Sequence, residues 1–273
     1  MGFQPAVIDF GFLKVGDTMF GVERRSKIMS ILNEKKSVLV NETAVLFNVT
    51  EETIRRDLKV LEGQGLLART HGGAVLSEDT QVEAPLEIRE GINSSGKNLI
   101  GIKASEMIND GDTIILDAST SSLYVAKNIK DKKGLTVITN AERIILELSD
   151  CEDITLISSG GILRKKSLSY VGRAAENAIG SYYADKLFFS CKGFSPKKGL
   201  TDSNEQESDI RKTMIKCSEK AIFLCDHTKF DKVGYVNTAR LDDIETIITD
   251  VPLPDEWSAA LDEAGIKPIL AVK

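Results

Sequence analysis

The chain has 273 residues, 42% of them hydrophobic, which allows one ordinary domain and a second, small one. Its net charge of −6 is unevenly spread: residues 22–76 hold nine Lys or Arg against seven Asp or Glu, whereas residues 77–273 hold 25 against 32. No apolar stretch has the length of a membrane span, and the four cysteines lack C-x-x-C spacing. We therefore expect a cytoplasmic protein with free thiols and with no membrane partner, metal or cofactor.

The first predicted elements are two helices. Residues 1–18 precede both helices, and we expect them to be a tag or an upstream extension. Val22–Leu32 has apolar residues among charges, which predicts an amphipathic helix. Asn33–Ser37 then breaks the pattern, and Val40–Phe47 predicts a short second helix.

A third helix is predicted to begin at Thr50, because threonine caps a helix by accepting a backbone N–H. Asn48 lies in the turn before it, where a left-handed residue lets two helices cross steeply. Gly63 and Gly65 are predicted to end this helix at its C-cap. Such a helix pair can place its second member in a DNA major groove while the first crosses the phosphate backbone.

The third helix has an apolar side and a basic side. Ile54, Leu58 and Leu61 recur at i, i+4 and i+7, so they form one stripe for the core. Arg55 and Arg56 point about 100° apart, so that one can reach a base edge and the other a phosphate; the sequence leaves open which does which. With the acidic first turn and the hairpin that follows, the candidate DNA-contacting residues are Thr50, Glu51, Thr53, Arg55, Arg56, Lys59, Arg69 and His71.

A short hairpin is predicted directly after the third helix. Leu66–Arg69 and Ala74–Leu76 are its two strands, and residues 70–73 form the tip between them. This hairpin is a candidate wing, which would place Arg69 and His71 against phosphate or the minor groove.

The remainder of the chain alternates between strand and helix patterns. Beyond a predicted connector at Ser77–Gly96, strands are expected at Thr113–Leu116, Leu135–Thr139, Ile154–Ile157, Lys186–Phe189, Ala221–Leu224, Thr246–Thr249 and Pro268–Val272. Helices are expected at Leu99–Met107, Leu123–Ile129, Ala141–Leu148, Tyr170–Ile179 and Glu205–Cys217. This alternation predicts an α/β domain with a doubly wound, mostly parallel sheet.

Small, polar and charged residues follow several of the predicted strands, where open α/β sheets bind ligands. Ser119–Ser122 precedes a predicted helix and can cradle a phosphate, and Gly160-Gly161 lets a ligand approach the backbone. Each such loop alone is also explained by helix capping, so the stronger argument is that they converge on one sheet edge. The candidate ligand-binding residues are Asp117, Ser119, Thr120, Ser121, Ser122, Asn140, Gly160, Gly161, Arg164, Lys192, Gly193, Asp226 and Lys229.

His227 lies beside Asp226, which suggests a catalytic pair. The chain has only two histidines, however, and no other residue completes a triad or a metal site. We expect His227 to bond to backbone at a strand end, and we predict no catalytic residues.

The chain resembles the DeoR family of bacterial transcription regulators in the strings ERRSKIMSIL, VTEETIRRDLKVLEGQGLLARTHGGAVL, DGDTIILDAST, DKLFFSCKG and CDHTKF. The resemblance implies a winged helix-turn-helix domain attached to a sensor domain that binds a phosphorylated sugar and is similar in fold to ribose-5-phosphate isomerase. It also implies a phosphate loop at Ser119–Ser122, with these residues nearby: Asn140, Gly161, Lys192 and Lys229.

The chain departs from the family pattern at three positions. Leu39 stands where the family usually has a capping Ser or Thr, and Asn48 stands where it has a turn glycine. Neither position lies on the groove-facing surface. Ser119 replaces the glycine of the G-T-T phosphate loop, which bears on how closely a phosphate fits and hence on the identity of the ligand.

These observations predict a regulator that binds double-stranded operator DNA, a repressor of a carbohydrate-metabolism operon that a phosphorylated sugar effector controls. Its parts are a DNA-binding domain at 19–76, a connector at 77–96 and a sensor domain at 97–273. The modest charge of residues 22–76 leads us to expect a homodimer or homotetramer on a repeated site. The alternatives are an isomerase-like enzyme with an appended DNA-binding domain and a winged helix used for protein contact only.

Overall fold

The computed structural model describes residues 19–77 and 82–272, so the prediction for residues 1–18 lies outside the described part of the chain. Residues 19–76, called the head below, form three helices and a three-stranded sheet. The elements are α1 (Gly21–Lys35), β1 (Ser37–Leu39), α2 (Val40–Phe47), α3 (Glu51–Gly63), β2 (Leu67–Thr70) and β3 (Gly73–Leu76). The three predicted helices and the predicted hairpin are all present.

The ends of α2 and α3 follow from their sequence. The Thr50 hydroxyl accepts the backbone N–H of Thr53 at 3.2 Å and so caps α3. Asn48, with φ 52° and ψ 48°, is left-handed and makes the turn between α2 and α3. Gly65, with φ +74°, is the left-handed residue that terminates α3, whereas Gly63 is still inside the helix.

The head contains one strand that the sequence did not predict. β1 begins at Ser37, the last residue of the segment interpreted as a break, and pairs antiparallel with β3 in a sheet of the order β1-β3-β2. Three residues are too few to show the alternation of a strand. Gly73 is required at this pairing, because a Cβ atom there would lie 2.1 Å from the carbonyl oxygen of Val38.

A buried carboxylate joins the first and third helices of the head. Asp57 on α3 is 3% exposed, and its two oxygens accept hydrogen bonds from Arg24 and Arg25 of α1. The predicted apolar stripe of α3 packs in the same core. Since α3 buries both the stripe and Asp57, its basic side faces outward.

The segment predicted as a connector is partly helical. It contains α4 (Leu86–Gly91) and the start of α5 (Ser94–Ser105). Ile88 of α4 is buried in the head core, and the Ser26 hydroxyl of α1 donates to the carbonyl of Glu87 at 3.4 Å. The helix α4 is therefore packed on the head, while Glu90 at its end also pairs with Lys127 and Arg143 of the sheet domain.

Beyond α5 the elements alternate as predicted, with several short additions. In chain order they are β4 (Thr113–Leu116), α6 (Thr120–Lys127), β5 (Leu135–Thr139), α7 (Glu142–Leu148), β6 (Ile154–Ser158), β7 (Ile162–Arg164), β8 (Ser169–Val171), α8 (Arg173–Ile179), β9 (Ala184–Phe189), β10 (Gly193–Ser195), β11 (Gly199–Asp202), α9 (Glu205–Lys216), β12 (Ser218–Leu224), β13 (Val236–Ala239), β14 (Thr246–Thr249), α10 (Ser258–Glu263) and β15 (Ile269–Leu270). All seven strands that the sequence predicts here are present.

These seven strands form one sheet with the order β15-β14-β12-β9-β4-β5-β6, and every pairing is parallel. Alternate residues of a strand enter different cores: Ile115 of β4 belongs to one apolar cluster, and Ile114 and Leu116 belong to another. Phe188 and Phe189 of β9 divide in the same way. A parallel sheet with an apolar core on each face confirms the predicted α/β fold class.

One predicted helix begins too early. The pattern from Tyr170 to Ile179 predicts a single helix, but the structure has β8 and then α8 from Arg173. Gly172, with φ +87°, separates the strand from the helix. A single glycine does not interrupt the spacing of the apolar residues, so the sequence pattern does not show where the strand ends. The hairpin β7-β8 and the small sheet β10-β11-β13 were also not predicted, because their short strands mix apolar with polar residues or glycine and form no continuous apolar run.

No helix within residues 19–77 and 82–272 is long and apolar enough to cross a membrane. The four cysteines are free, and Cys191 and Cys225 are buried. Burial raises the pKa of the Cys191 thiol to about 12, so this group stays protonated and unreactive at neutral pH.

We predict that Asp57→Ala destabilises the head by roughly 3 kcal/mol, because it leaves two largely buried guanidinium groups without their carboxylate. Urea unfolding followed by circular dichroism measures the change. The matched control is Glu51→Ala, which removes the exposed partner of Arg55 and should change stability by no more than about 0.5 kcal/mol. Equal effects of the two substitutions would contradict a structural role for Asp57.

Candidate functional site

The outward side of α3 carries the basic residues that the sequence predicts there. Arg55, Arg56 and Lys59 are exposed. The Arg55 guanidinium lies 2.5 Å from the Glu51 carboxylate, whereas Arg56 has no side-chain partner among the described residues. An exposed ion pair contributes at most about 1 kcal/mol, so Arg55 can exchange Glu51 for another anion at small cost.

The hairpin β2-β3 is held against the end of α3. Nε of Arg69 donates to Glu62 at 2.7 Å, and this bond, with a second from the Arg69 backbone N–H, holds the pKa of Glu62 below its usual value. His71 is exposed at the tip. All eight predicted DNA-contacting residues are at least partly exposed, and their contact with DNA stays a prediction.

A cavity of about 390 Å³ lies between the head and the sheet domain. The head contributes Met29, Asn33, Gly65, Leu66 and Leu76, and the segment after it contributes Ser77, Val82, Glu83, Ala84, Arg89 and Ile92. The charged residues from the sheet domain are Lys97, Lys192, Asp202, Glu207, Arg211, Asp226, Lys229 and Lys232. The cavity is therefore built from both parts of the chain.

Five of the predicted ligand-binding residues line this cavity: Ser119, Thr120, Lys192, Asp226 and Lys229. Ser119 caps α6 by accepting the backbone N–H of Ser122 at 3.1 Å. The backbone N–H groups of Thr120 and Ser121, at the start of α6, have no partner inside the helix. Asp226 is 1% exposed, and its Oδ2 atom has no hydrogen-bond partner within the described residues. The site thus offers helix N–H donors, ammonium groups and a carboxylate acceptor.

Three predicted residues lie behind the cavity wall. Ser122 donates to Asp117 at 2.6 Å and to the carbonyl of Phe188 at 3.0 Å, so it packs α6 onto the sheet. Asp117 and Ser121 are fully buried and do not line the cavity. The reason is that α6 begins at Thr120 rather than at Leu123, which makes Ser121 and Ser122 part of the helix instead of a loop.

Five further predicted residues do not line the cavity: Asn140, Gly160, Gly161, Arg164 and Gly193. The two glycines, with φ of +57° and +112°, form the turn between β6 and β7. Asn140 donates to the carbonyl of Tyr170 at 3.0 Å, and Arg164 lies 2.5 Å from Glu83. A Cβ atom on Gly193 would lie 2.0 Å from the carbonyl oxygen of Lys232, so that glycine permits a close backbone approach. Turn geometry and packing account for four of these positions, whereas Oδ1 of Asn140 is buried with no hydrogen-bond partner within the described residues.

A buried arginine joins three carboxylates in the floor of the cavity. Arg211, 5% exposed, places Nε 2.7 Å from Asp117, Nη1 2.6 Å from Asp202 and Nη2 3.4 Å from Glu207. Burial works against its charged form, but the three carboxylates hold the pKa of Arg211 above its usual value. Arg211 therefore remains cationic and ties β4, β11 and α9 together.

The cavity has a surplus of positive charge. Among the described residues, six Lys or Arg side chains and four Asp or Glu side chains line it, which leaves two positive charges within this set. Nζ of Lys97 donates to the carbonyls of Arg89 and Ile92 at 2.5 and 2.6 Å, and burial lowers the pKa of Lys97 to about 7. Burial also lowers the pKa of Lys232 to about 8. The two surplus positive charges would balance the charge of a dianion bound in this cavity.

Sequence reasoning missed several cavity residues, among them Lys97, Arg211 and Lys232. Lys97 and Arg211 lie within helices, where the rule about strand ends does not apply. Lys232 comes three residues after Lys229, a predicted ligand-binding residue, and this proximity in sequence was the available indication that Lys232 also lines the cavity. The head residues that line the cavity carried no signal, because their proximity arises only from tertiary structure.

The ring of His227 bonds to a carboxylate, and not to backbone as the sequence predicted. Its Nδ1 atom lies 2.8 Å from Oδ2 of Asp250, and its backbone N–H donates to Oδ1 of the same residue at 2.8 Å. The hydrogen bond with Asp250 raises the pKa of His227. No group of three or more His, Cys, Asp or Glu residues that could hold a metal ion occurs in the described part of the chain.

Comparison with known proteins agrees with a DNA-binding head on a ligand-binding domain. The DeoR-like helix-turn-helix domain matches residues 24–80, and the DeoR C terminal sensor domain matches residues 92–251. The uncharacterized HTH-type transcriptional regulator YulB of Bacillus subtilis is 42% identical over 91% of this chain and 96% of its own length. The HTH-type transcriptional repressor GlcR of the same species is 33% identical over 91% of this chain and 96% of its own length. The chain belongs to the DeoR family of DNA-binding transcription regulators.

Solved structures with a similar fold include a D-ribose-5-phosphate isomerase in complex with phospho-erythronic acid. It aligns with a TM-score of 0.39 and 14% identity over 51% of this chain and 55% of that chain. A likeness of this size transfers neither an activity nor a ligand.

We predict that Arg211→Met destabilises the sheet domain by roughly 3–5 kcal/mol, because three carboxylates would lose their buried cation. Chemical denaturation monitored by tryptophan fluorescence measures the change, since Trp257 lies in the core of this domain. Lys212→Met, at the exposed neighbour on α9, is the matched control and should leave stability nearly unchanged. A stability loss below about 1 kcal/mol in Arg211→Met would contradict this account of the cavity floor.

Proposed function

We propose that the chain is a cytoplasmic repressor of a carbohydrate-metabolism operon and that a phosphorylated sugar, bound in the cavity, controls its affinity for operator DNA. The observation that carries this proposal is the cavity itself, which combines a helix N-terminus, a positive surplus among its described residues and a buried carboxylate oxygen with no partner in the described part of the chain. The repressor role is supported by GlcR, a relative whose name includes that word.

The DNA-binding half of the proposal rests on the exposed arginines of α3. Arg55 and Arg56 are adjacent on an exposed helix face, and the hairpin with Arg69 and His71 lies beyond the end of the same helix. A helix that presents two arginines can read a guanine with one and bind phosphate with the other. Because the head has a small positive charge, we propose that two heads of a homodimer or homotetramer act together on a repeated site.

The effector half rests on complementary chemistry in the cavity. The free N–H groups at the start of α6 suit a phosphate, and the ammonium groups of Lys192 and Lys229 lie in the same space. Oδ2 of Asp226, buried and without a partner, can accept a hydrogen bond from a sugar hydroxyl. A phosphorylated sugar supplies both a dianion and hydroxyl donors.

The enzyme alternative is an isomerase that acts on a sugar phosphate. A general base needs a carboxylate that is free to take a proton from the substrate. Oε2 of Glu207 and Oδ2 of Asp226 are the cavity carboxylate oxygens without a hydrogen-bond partner within the described residues. Burial works against their charged forms, but Arg211 holds the pKa of Glu207 below its usual value, and Lys229 and Lys97 do the same for the pKa of Asp226, so both are weak bases. We therefore propose binding without turnover.

A panel of pentose and hexose phosphates, each with its unphosphorylated sugar as control, tests the effector half by thermal shift. We expect at least one phosphate to raise Tm and its control to have no effect. Gel shifts on the DNA upstream of the chain's own gene then test the repressor half, and an isomerase assay on any stabilising compound tests turnover. A panel without any stabilising member, or turnover of one, would contradict the proposal.

We predict that Arg55→Ala and Arg56→Ala each weaken operator binding by about 1–3 kcal/mol, the range for a base contact. Substitution of the arginine that contacts phosphate should also reduce the salt dependence of operator affinity. Fluorescence anisotropy at several salt concentrations measures both quantities. Lys212→Ala on α9 is an exposed control distant in sequence from the head. Unchanged operator affinity in both arginine variants would exclude α3 as the recognition helix.

We predict that effector affinity falls between pH 7 and pH 9. A bound phosphate dianion favours the charged forms of Lys97 and Lys232, whose pKa values in the empty cavity are about 7 and about 8, so binding takes up protons in this range. The decrease should reach up to about tenfold per pH unit for each group that titrates. Calorimetry in buffers of different ionisation enthalpy counts the protons, and binding at pH 8 without proton uptake would contradict the prediction.

A further inference from the structure

The wall of the cavity that faces the sheet domain belongs to the head. Met29 and Asn33 of α1 line it, together with Leu66, the residue just before β2. These side chains are not part of the sensor domain, and they carry none of the predicted DNA contacts. A ligand that fills the cavity would therefore touch two parts of the chain that are separate in sequence.

A hydrogen bond crosses from the sensor domain to this wall. Nζ of Lys232 donates to Oδ1 of Asn33 at 2.8 Å. The amide of Asn33 is oriented for this contact, because its Nδ2 atom donates to the carbonyl of Met29 at 2.9 Å. An ammonium group has three donors, so Lys232 can keep this bond and still bind a phosphate oxygen.

A second cavity lysine binds the segment that follows the head. Nζ of Lys192 donates to the carbonyl of Val82 at 2.9 Å. Val82 packs against the head core, and a Cβ atom on Gly65 would lie 3.3 Å from its side chain. Lys229 differs from these two lysines, because its ammonium donates to the carbonyl of Cys191 within the sensor domain, at 2.9 Å.

We infer that the effector site is built from both the sensor domain and the head, and that the head completes it. This inference rests on the proposed function. The phosphorylated effector binds when the head is docked as in this structure, with Asn33 hydrogen-bonded to Lys232. Binding of the effector stabilises this placement of the head. The linkage is direct, because a head that moved away would remove one wall and one partner of a phosphate-binding lysine. Asn33 is thus a positioning residue for Lys232, not a DNA-contacting residue.

Hydrogen exchange on the full chain tests this inference. The probe is the sugar phosphate with the largest thermal shift in the panel, or inorganic phosphate if no sugar phosphate produces a shift. We expect the probe to slow exchange in residues 29–35 and 82–92 as well as around Ser119 and Lys229. Protection confined to the sensor domain, with no change in residues 29–35, would overturn the inference while leaving the proposed function intact.

Two variants separate docking from ligand contact. Asn33→Ala should speed exchange in residues 29–35 by roughly five- to tenfold without any ligand, because it removes a hydrogen bond to a charged donor. It should also reduce the effect of the probe on operator affinity at least threefold. Lys229→Ala should weaken binding of the probe but leave exchange of the head in the absence of ligand unchanged. An Asn33→Ala variant that matches the wild type in both measurements would overturn the inference; failure of the wild type to bind operator DNA would instead contradict the proposed function.

Discussion

The geometry of the cavity depends on one buried cation. Arg211 is bound by Asp117, Asp202 and Glu207, which would repel one another and protonate if it were absent. With Arg211 in place, this cluster keeps a net charge of about −2 while β4, β11 and α9 are held in fixed positions. The positive surplus of the cavity therefore comes from the lysines and not from the floor. Such a distribution suits the phosphorylated sugar that we propose as effector, with its phosphate at the lysines and its hydroxyls toward the carboxylates.

The head uses a buried carboxylate for a different purpose. Asp57 binds Arg24 and Arg25 on the inner side of α3, so the helix is held from behind. The outward arginines have no comparable tie: Arg55 has an exposed partner on its own helix, and Arg56 has none among the described residues. Strong pairs therefore position the helix, and weakly held side chains remain free for another anion.

The sequence predicted the regular elements well, because long periodic patterns and helix caps act locally. The seven strands of the parallel sheet, the turn at Asn48 and the cap at Thr50 all follow from such patterns. The short strand β1 and the break at Gly172 did not, since neither is long enough to establish a period. Of the predicted ligand-binding residues, these five line the cavity: Ser119, Thr120, Lys192, Asp226 and Lys229. Arg211 and Asn33 were missed because their roles arise from contacts between distant segments.

The helix α1 provides a physical connection between the cavity and the DNA-contacting surface. Asn33 near its end binds Lys232, whereas Arg24 near its start binds Asp57 of α3. The nine residue steps from Arg24 to Asn33 span about 14 Å of regular helix, which moves as a rigid element. A change in how α1 docks on the sensor domain is therefore a change in the placement of α3, and no chain of intermediate side chains is needed. Because linkage is reciprocal, operator DNA that prefers one placement of α3 must alter effector affinity by the same factor, typically about 5- to 150-fold.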